Sequence, residues 1–448
     1  MNNSLTQGKV SSILVKFAMP FIIANLLQSM YGAADLFVVG QYSNSAAVSG
    51  VAIGSQVMQT ITAIIQGISL GSTVLIAQSI GSGNHNKAAK GIGTSAVAFA
   101  VLAVLIAVAM FFCIDLSINL MQTPVEALEE TRNYIFICTC GIPFIVGYNV
   151  VSSIFRGLGD STTPVVFIAI AAFVNIVTDF VLVGQFHMSA SGAAIATVAA
   201  QAISFIASLI YMAKKGFAFP VRRSDFRIDK ESLLYILKVG VPVALQNSLV
   251  NISFLVITAI INTMGLIASA AVGVVEKLMG FMMLPASSFS SAVATITAQN
   301  IGAGKPERAS KSLQFGILFS LVWGVLICVY SNLLPETLTG LFSKDAAVVT
   351  AAADYLRIYS FDCILVAFVF CLNSYFTGCG NSVLPMVHSL ISTFLVRIPM
   401  SYVLSRMEGA GLFEIGFAAP LASLFSLIIC LFYFIYKKKR GNPIVESE

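Results

Sequence analysis

Long apolar runs separated by short polar segments set the pattern of the chain. Twelve runs are long enough to cross a bilayer as helices, which takes about 20 apolar residues each. They fall at 12–40, 46–80, 88–114, 130–156, 162–184, 190–213, 232–263, 267–300, 309–333, 348–377, 383–405 and 411–436. The pattern predicts an all-α polytopic membrane protein of twelve transmembrane helices. The first segment, "MNNSLTQGKVSSILVK", leads straight into an apolar run with no small-residue cleavage site. It reads as the start of an uncleaved first span.

The polar connections orient these spans. Cytoplasmic loops are enriched in Lys and Arg. With the N-terminus inside, cytoplasmic segments hold 18 of the 25 basic residues, among them Lys87, Lys90, Lys214, Lys215, Arg222, Arg223, Lys305 and Arg308. The outer side receives Arg132, Lys344, Arg357 and Arg406. Both termini are therefore expected in the cytoplasm, with the protein in the cell membrane. The "KKKR" at 437–440 reads as a juxtamembrane anchor facing anionic lipid.

The chain also repeats itself. "AQSIGSGNHNKAAK" (77–90) matches "AQNIGAGKPERASK" (298–311), and "RGLGDSTTP" (156–164) matches "TGCGNSVLP" (377–385), both at an offset of 221. Pro20 matches Pro242 one residue out of phase. Two six-helix lobes follow. Six is even, so both lobes enter the membrane the same way, related by a pseudo-two-fold axis along the membrane normal. The expected division is 1–213, a cytoplasmic linker at 214–231, and 232–448. The Gly-x-Gly pairs in the repeated loops read as tight turns. Asp160 and Asn381 read as caps of the following helix, with Pro164 and Pro385 in its first turn. The stretch "GAGKPE" (302–307) is not a P-loop, because Gln299 stands where the first Gly belongs and Pro306 follows Lys305. A pump built on such a chain would have to use an ion gradient or a partner.

Composition narrows the class. The chain is 57% hydrophobic and 10% charged, with mean hydropathy +0.90, against about 25% charged for a soluble domain. No basic stripe interleaved with aromatics points to nucleic acid. The eight cysteines form no C-x-x-C pair, so they read as packing residues and not as a metal site. No cofactor is expected.

Against this background the acids inside spans stand out: Asp35, Asp179, Glu276 and Asp362, with Asp354 near a helix end. A charge at the bilayer centre costs roughly 3 kcal/mol or more. Gln28, Tyr31 and Asp35 are spaced i, i+3, i+7 and share one helix face, while Asn175 and Asp179 are spaced i, i+4 and share another. If spans one and five face each other, two carboxylates, an amide and a phenol converge. Such oxygen ligands suit a hard cation such as Na⁺. Two carboxylates in low dielectric also resist both being ionised, which makes a proton the other candidate. The competing reading is a polar cluster that only ties helices together. Glu276 precedes Lys277, its candidate ion-pair partner, and Arg397 is a candidate partner for Asp362. None of His85, His187 and His388 is expected to relay protons.

The chain at this point resembles the multidrug and toxic compound extrusion (MATE) family. The resemblance is carried by "FAMPFIIANLLQSMYGAADLFVVG" (17–40), "AQSIGSGN" (77–84), "FRGLGDSTTP" (155–164), "NIVTDFVLVG" with the following "SGAAIAT" (175–197), and their second-half echoes. It implies a twelve-helix, V-shaped antiporter that expels small organic cations in exchange for H⁺ or Na⁺, a monomer in the lipid bilayer. The ion site it implies is Asp35, Asn175, Asp179 and Thr197, with Tyr31 beside it. Gln28 and Asn149 match polar residues of the first-lobe cavity, and Asp362 and Glu276 are the acidic cavity candidates of the second. Some relatives carry a Glu on helix seven; this span offers Gln246 and Asn247 instead, which puts an ion site in the second lobe in doubt.

These readings make Asp35 and Asp179 the coupling pair and Pro20 the hinge, since a proline removes a helical hydrogen bond. A flippase or exporter of a lipid-linked or narrow metabolite substrate is the alternative; an anionic substrate would call for a cavity rich in Arg and Lys. A membrane enzyme would need a nucleophile–base or metal constellation, and the sequence displays neither.

Overall fold

The structure is a computed structural model and describes residues 5–407, 409 and 411–439. The described residues are helical, with no strand. In chain order the main helices are α1 (Val10–Tyr42), α2 (Ser45–Gly81), α3 (His85–Leu120), α4 (Leu128–Gly157), α5 (Thr162–Asp179), α6 (Ser189–Lys215), α7 (Lys230–Asn262), α8 (Leu266–Met282), α9 (Leu284–Gly302), α10 (Pro306–Leu333), α11 (Ala346–Tyr359), α12 (Asp362–Gly378), α13 (Val383–Ser392), α14 (Ile398–Arg406) and α15 (Ala418–Lys439). A π-helical turn, Phe180–Gln185, extends α5, and another, Thr393–Arg397, joins α13 to α14. Among the described residues, ten continuous stretches are long and apolar enough to cross a membrane alone. Two bent pairs, α8 with α9 and α11 with α12, bring the number to as many as twelve.

The bent pairs refine the sequence reading, in which 267–300 and 348–377 are single helices. The first bends by 41° and the second by 47°. Pro285 opens α9 and removes a backbone donor at the first bend. At the second, the Ser360 hydroxyl donates to the Arg357 carbonyl at 2.8 Å while Asn332 Nδ2 donates to Ser360 Oγ at 3.2 Å. Side chains entering the backbone ladder kink a helix in this way.

The chain forms two compact units. Unit 1 is built on Ile23–Ala244, and unit 2 on Leu5–Ile22 together with the chain from Leu245 onward. The units therefore divide inside α1 and α7, not at the basic loop 214–231 where composition changes. Both divisions fall three residues after a helix-interior proline, Pro20 or Pro242. In unit 2, Leu14, Phe17, Ala18 and Phe21 of α1 pack with Phe289, Val293, Leu372 and Phe376. Arg308 Nη1 also donates to the Gly8 carbonyl at 2.9 Å. In unit 1, the first half of α7 lies against α2 so closely that a Cβ on Gly67 would meet Ala244 backbone atoms. Tyr235 there donates to Gln78 Oε1 at 2.6 Å.

Small residues and short hydrogen bonds hold each unit, as expected where lipid removes the hydrophobic drive between helices. Ser95 donates to Ser72 at 2.9 Å, Thr73 to the Ser153 carbonyl at 3.2 Å, and Ser204 to the Phe167 carbonyl at 3.0 Å. The repeated loops are turns as the sequence predicts. Gly83 and Gly304 have φ of +72° and +67°, and Gly159 and Gly380 have φ of +87° and +90°. Asp160 Oδ1 accepts from the Thr163 amide at 2.9 Å, and Asn381 Oδ1 from the Leu384 amide at 3.4 Å. Arg440 and the side chains of Lys438 and Lys439, part of the "KKKR" anchor, lie outside the described residues.

Candidate functional site

The predicted polar faces of α1 and α5 do converge, inside unit 1. Asp35, Asn175 and Asp179 are 4%, 1% and 0% exposed. Thr197 of α6 joins them: its hydroxyl donates to Asp35 Oδ2 at 3.1 Å, and Asn175 Nδ2 stands 3.5 Å from Thr197 Oγ1. The carboxyl groups of Asp35 and Asp179 are neighbours that can share a hydrogen bond once one is protonated. The helical pattern explains the meeting. Asn175 and Asp179 are one turn apart on α5, and Asp179 is its last residue before the π-helical turn at 180–185. Such turns insert an extra residue into a helix and often lie at functional sites.

The polar bookkeeping of this cluster is incomplete. Asp35 Oδ1, Asn175 Oδ1 and both oxygens of Asp179 are buried without a hydrogen-bond partner. Buried polar oxygens are normally satisfied. Here four unsatisfied oxygens sit together, and no basic side chain is among the groups acting on either acid. The donor set is all oxygen, which fits a hard monovalent cation or a proton and not a soft metal.

Other predicted residues distribute unevenly. Tyr31 lies beside Gln28 and Gln201 and feels the Asp35 charge. With Ala171, Asn175, Thr197, Ala200 and Gln201 it lines a small recess next to the acids. Asn149 does not join the cluster; its Nδ2 donates to the Ile145 carbonyl of its own helix at 2.8 Å. Two residues at the site were not in the sequence reading. Gln201 sits one turn beyond Thr197 on α6 and was legible from that spacing. Tyr134 of α4, 2% exposed and close to Asp35 and Thr197, had no signal beyond being a tyrosine in an apolar run.

The second-lobe candidates gather in unit 2. Asp362 is 5% exposed at the start of α12. The strongest charged influence on Glu276 is Arg397, ahead of its sequence neighbour Lys277. Arg397, the candidate partner of Asp362 in the sequence, also acts on Asp362. His388 is fully buried, with Nε2 2.8 Å from Asn373 Oδ1 and Nδ1 3.3 Å from Ser426 Oγ. Both ring nitrogens are thereby engaged.

A family model, MatE, matches residues 20–181 and again 242–403. The two matches start 222 residues apart (242 − 20), which recovers the internal repeat and its Pro20–Pro242 correspondence. The chain is similar to the probable multidrug resistance protein YpnP of Bacillus subtilis, 29% identical over 98% of both chains. It is also similar to the probable multidrug resistance protein NorM of Thermotoga maritima, 28% identical over 100% of this chain and 97% of that one. Among solved structures, a MOP superfamily transporter from Pyrococcus furiosus shares the fold, with a TM-score of 0.91 at 20% identity over 99% of this chain and 98% of that one.

Proposed function

The chain belongs to the MatE family of membrane transporters, and from that membership we propose that it is a secondary antiporter exporting small organic cations in exchange for H⁺ or Na⁺ by alternating access. Family members are transporters and not enzymes. The observation that carries the coupling is the buried set of four unpartnered oxygens on Asp35, Asn175 and Asp179. Two carboxylates without a basic partner inside a membrane protein favour either a proton or a bound cation. Thr197 and Asn175 hold the arrangement from a second helix and from one turn below Asp179.

The exchange follows from this geometry. In the ion-free state the two carboxylates repel each other and attract a cationic drug to unit 1. Binding of the ion reduces that charge, ends the repulsion and lets α1 repack against α5 and α6. The hinge is Pro20, which lacks a backbone donor and lies where α1 passes from unit 2 to unit 1. Repacking weakens the hold on the drug and releases it outward. The basic bias of the loops supports cytoplasmic termini in a cell membrane, so export runs from that side.

The test is ethidium efflux from proteoliposomes, driven separately by a Na⁺ gradient and a pH gradient. Efflux is expected to follow one gradient and to be lost in Asp35→Asn and in Asp179→Asn. Efflux independent of both gradients would remove the antiport reading. Gradient-driven activity with no cationic dye, but with a lipid-linked or metabolite cargo, would turn the assignment to the narrow-substrate exporter.

A further inference from the structure

Unit 2 holds charges that this mechanism does not use. Glu276, Asp362 and Arg397 come from α8, α12 and the π-helical turn between α13 and α14. Their chain neighbours Val275, Cys363 and Ile398 belong to one apolar cluster, so the three charges are anchored in a single core. Arg397 closes the π-helical turn. Its guanidinium carbon lies 4.2 Å from the centre of the Phe254 ring, and its Nη2 donates to the Tyr359 hydroxyl at 2.9 Å. An arginine stacked on one ring and tied to a second is fixed in place.

From that position it acts through space on both acids. Asp362 lies beside Ser423, yet its Oδ1 is buried without a hydrogen-bond partner. Glu276 feels Arg397 first and Lys277 second. The remaining titratable groups facing the cluster are Tyr355, Tyr359 and Cys363. Two acids face one fixed base, Arg397, and the exposed Lys277 beside Glu276. At the unit 1 site no base is among the described groups that act on the two buried acids.

We propose that Arg397 is a resident counter-cation: a positioning residue that, together with Lys277 beside Glu276, offsets the charge of Asp362 and Glu276, so that unit 2 takes up no exchangeable ion and coupling is confined to the unit 1 pair. The second clause rests on the antiport reading given above, whereas the first does not. Arginine suits the role because it does not lose its proton in proteins, so a change of pH or ion gradient cannot discharge it.

The experiment reads thermal stability of the purified full-length protein in detergent against Na⁺ concentration and pH. The background is Asp35→Asn/Asp179→Asn, in which unit 1 binds no ion. With Arg397 intact, the melting temperature is expected to be insensitive to Na⁺ and unchanged between pH 6 and 8, with choline as the salt control. Arg397→Gln is expected to lower it and to make it recover by several degrees with Na⁺ or with acid, because a ligand of the folded state stabilises it. Adding Asp362→Asn to Arg397→Gln should restore the flat profile, and Arg397→Lys should remain flat. A purely structural arginine would give a loss that no ion, acid or second substitution repairs, and that result would overturn the proposal. So would ion dependence with Arg397 still present. If Arg397→Gln does not fold, the double variant decides, since it folds only if the loss came from uncompensated acid. A wild-type protein whose stability ignores ions altogether would count against the unit 1 coupling reading and leave the Arg397 result separate.

Discussion

A buried carboxylate in a membrane helix needs a partner, and Asp35 has one hydrogen bond for its two oxygens. That bond comes from Thr197, which makes Thr197 the residue whose removal speaks most directly to ion affinity. Hydrogen bonds to charged groups contribute about 1.5–3 kcal/mol. Thr197→Val is therefore expected to change the ion concentration for half-maximal efflux by about tenfold while leaving ethidium affinity unchanged. Thr197→Ser should behave as wild type. Equal ion dependence in all three proteins would take Thr197 out of the site. At this scale much was legible. The i, i+4 spacing of Asn175 and Asp179 shows their shared face, and the cost of an acid in lipid marks Asp35. Thr197 came only through the family resemblance, because a threonine in an apolar run carries no distinguishing signal. Tyr134 was missed for the same reason. That Arg397, from a distant run, acts on Glu276 as well as its neighbour Lys277 could not be read either, since the sequence does not show which helices meet.

Prolines, π-helical turns and bends carry the account at the scale of the element. α1 and α7 each change unit three residues after a proline. A proline inside a helix costs about 3 kcal/mol relative to alanine. Pro20→Ala is thus expected to raise thermal stability and to slow ethidium efflux severalfold, because the restored hydrogen bond stiffens the helix that bears Asp35. Pro242→Ala should stabilise similarly with a smaller effect on efflux, since the membrane part of α7 bears no acid. Hydrogen–deuterium exchange across residues 16–24 checks the cause, with slower exchange expected in Pro20→Ala. Unchanged exchange and unchanged efflux would remove Pro20 as the hinge. The prolines were visible in the sequence and so was their repeat. The exchange of units was not, because composition marks where a chain leaves the membrane and says nothing of which neighbours a continuous helix meets along its length. The bend at Ser360 was equally hidden, since it arises from side-chain hydrogen bonds and not from a proline or glycine.

For the whole molecule, the repeat organises two units of similar build and different chemistry. The twelve apolar runs and the 221-residue offset made the architecture legible. The chemical difference emerges only when side chains from distant runs come together. The unit 1 site gathers two acids with no base among the described groups acting on them, and unit 2 gathers acids with Arg397. Coupling is reciprocal: an ion that displaces drug must itself be displaced by drug. The most direct measurement is therefore ion release from purified protein on adding ethidium, followed with a pH indicator in weak buffer and with a Na⁺-selective electrode. The account predicts release of one kind of ion by the wild type and none by Asp35→Asn or Asp179→Asn. Ethidium binding that releases no ion, or releases it equally from both variants, would contradict it.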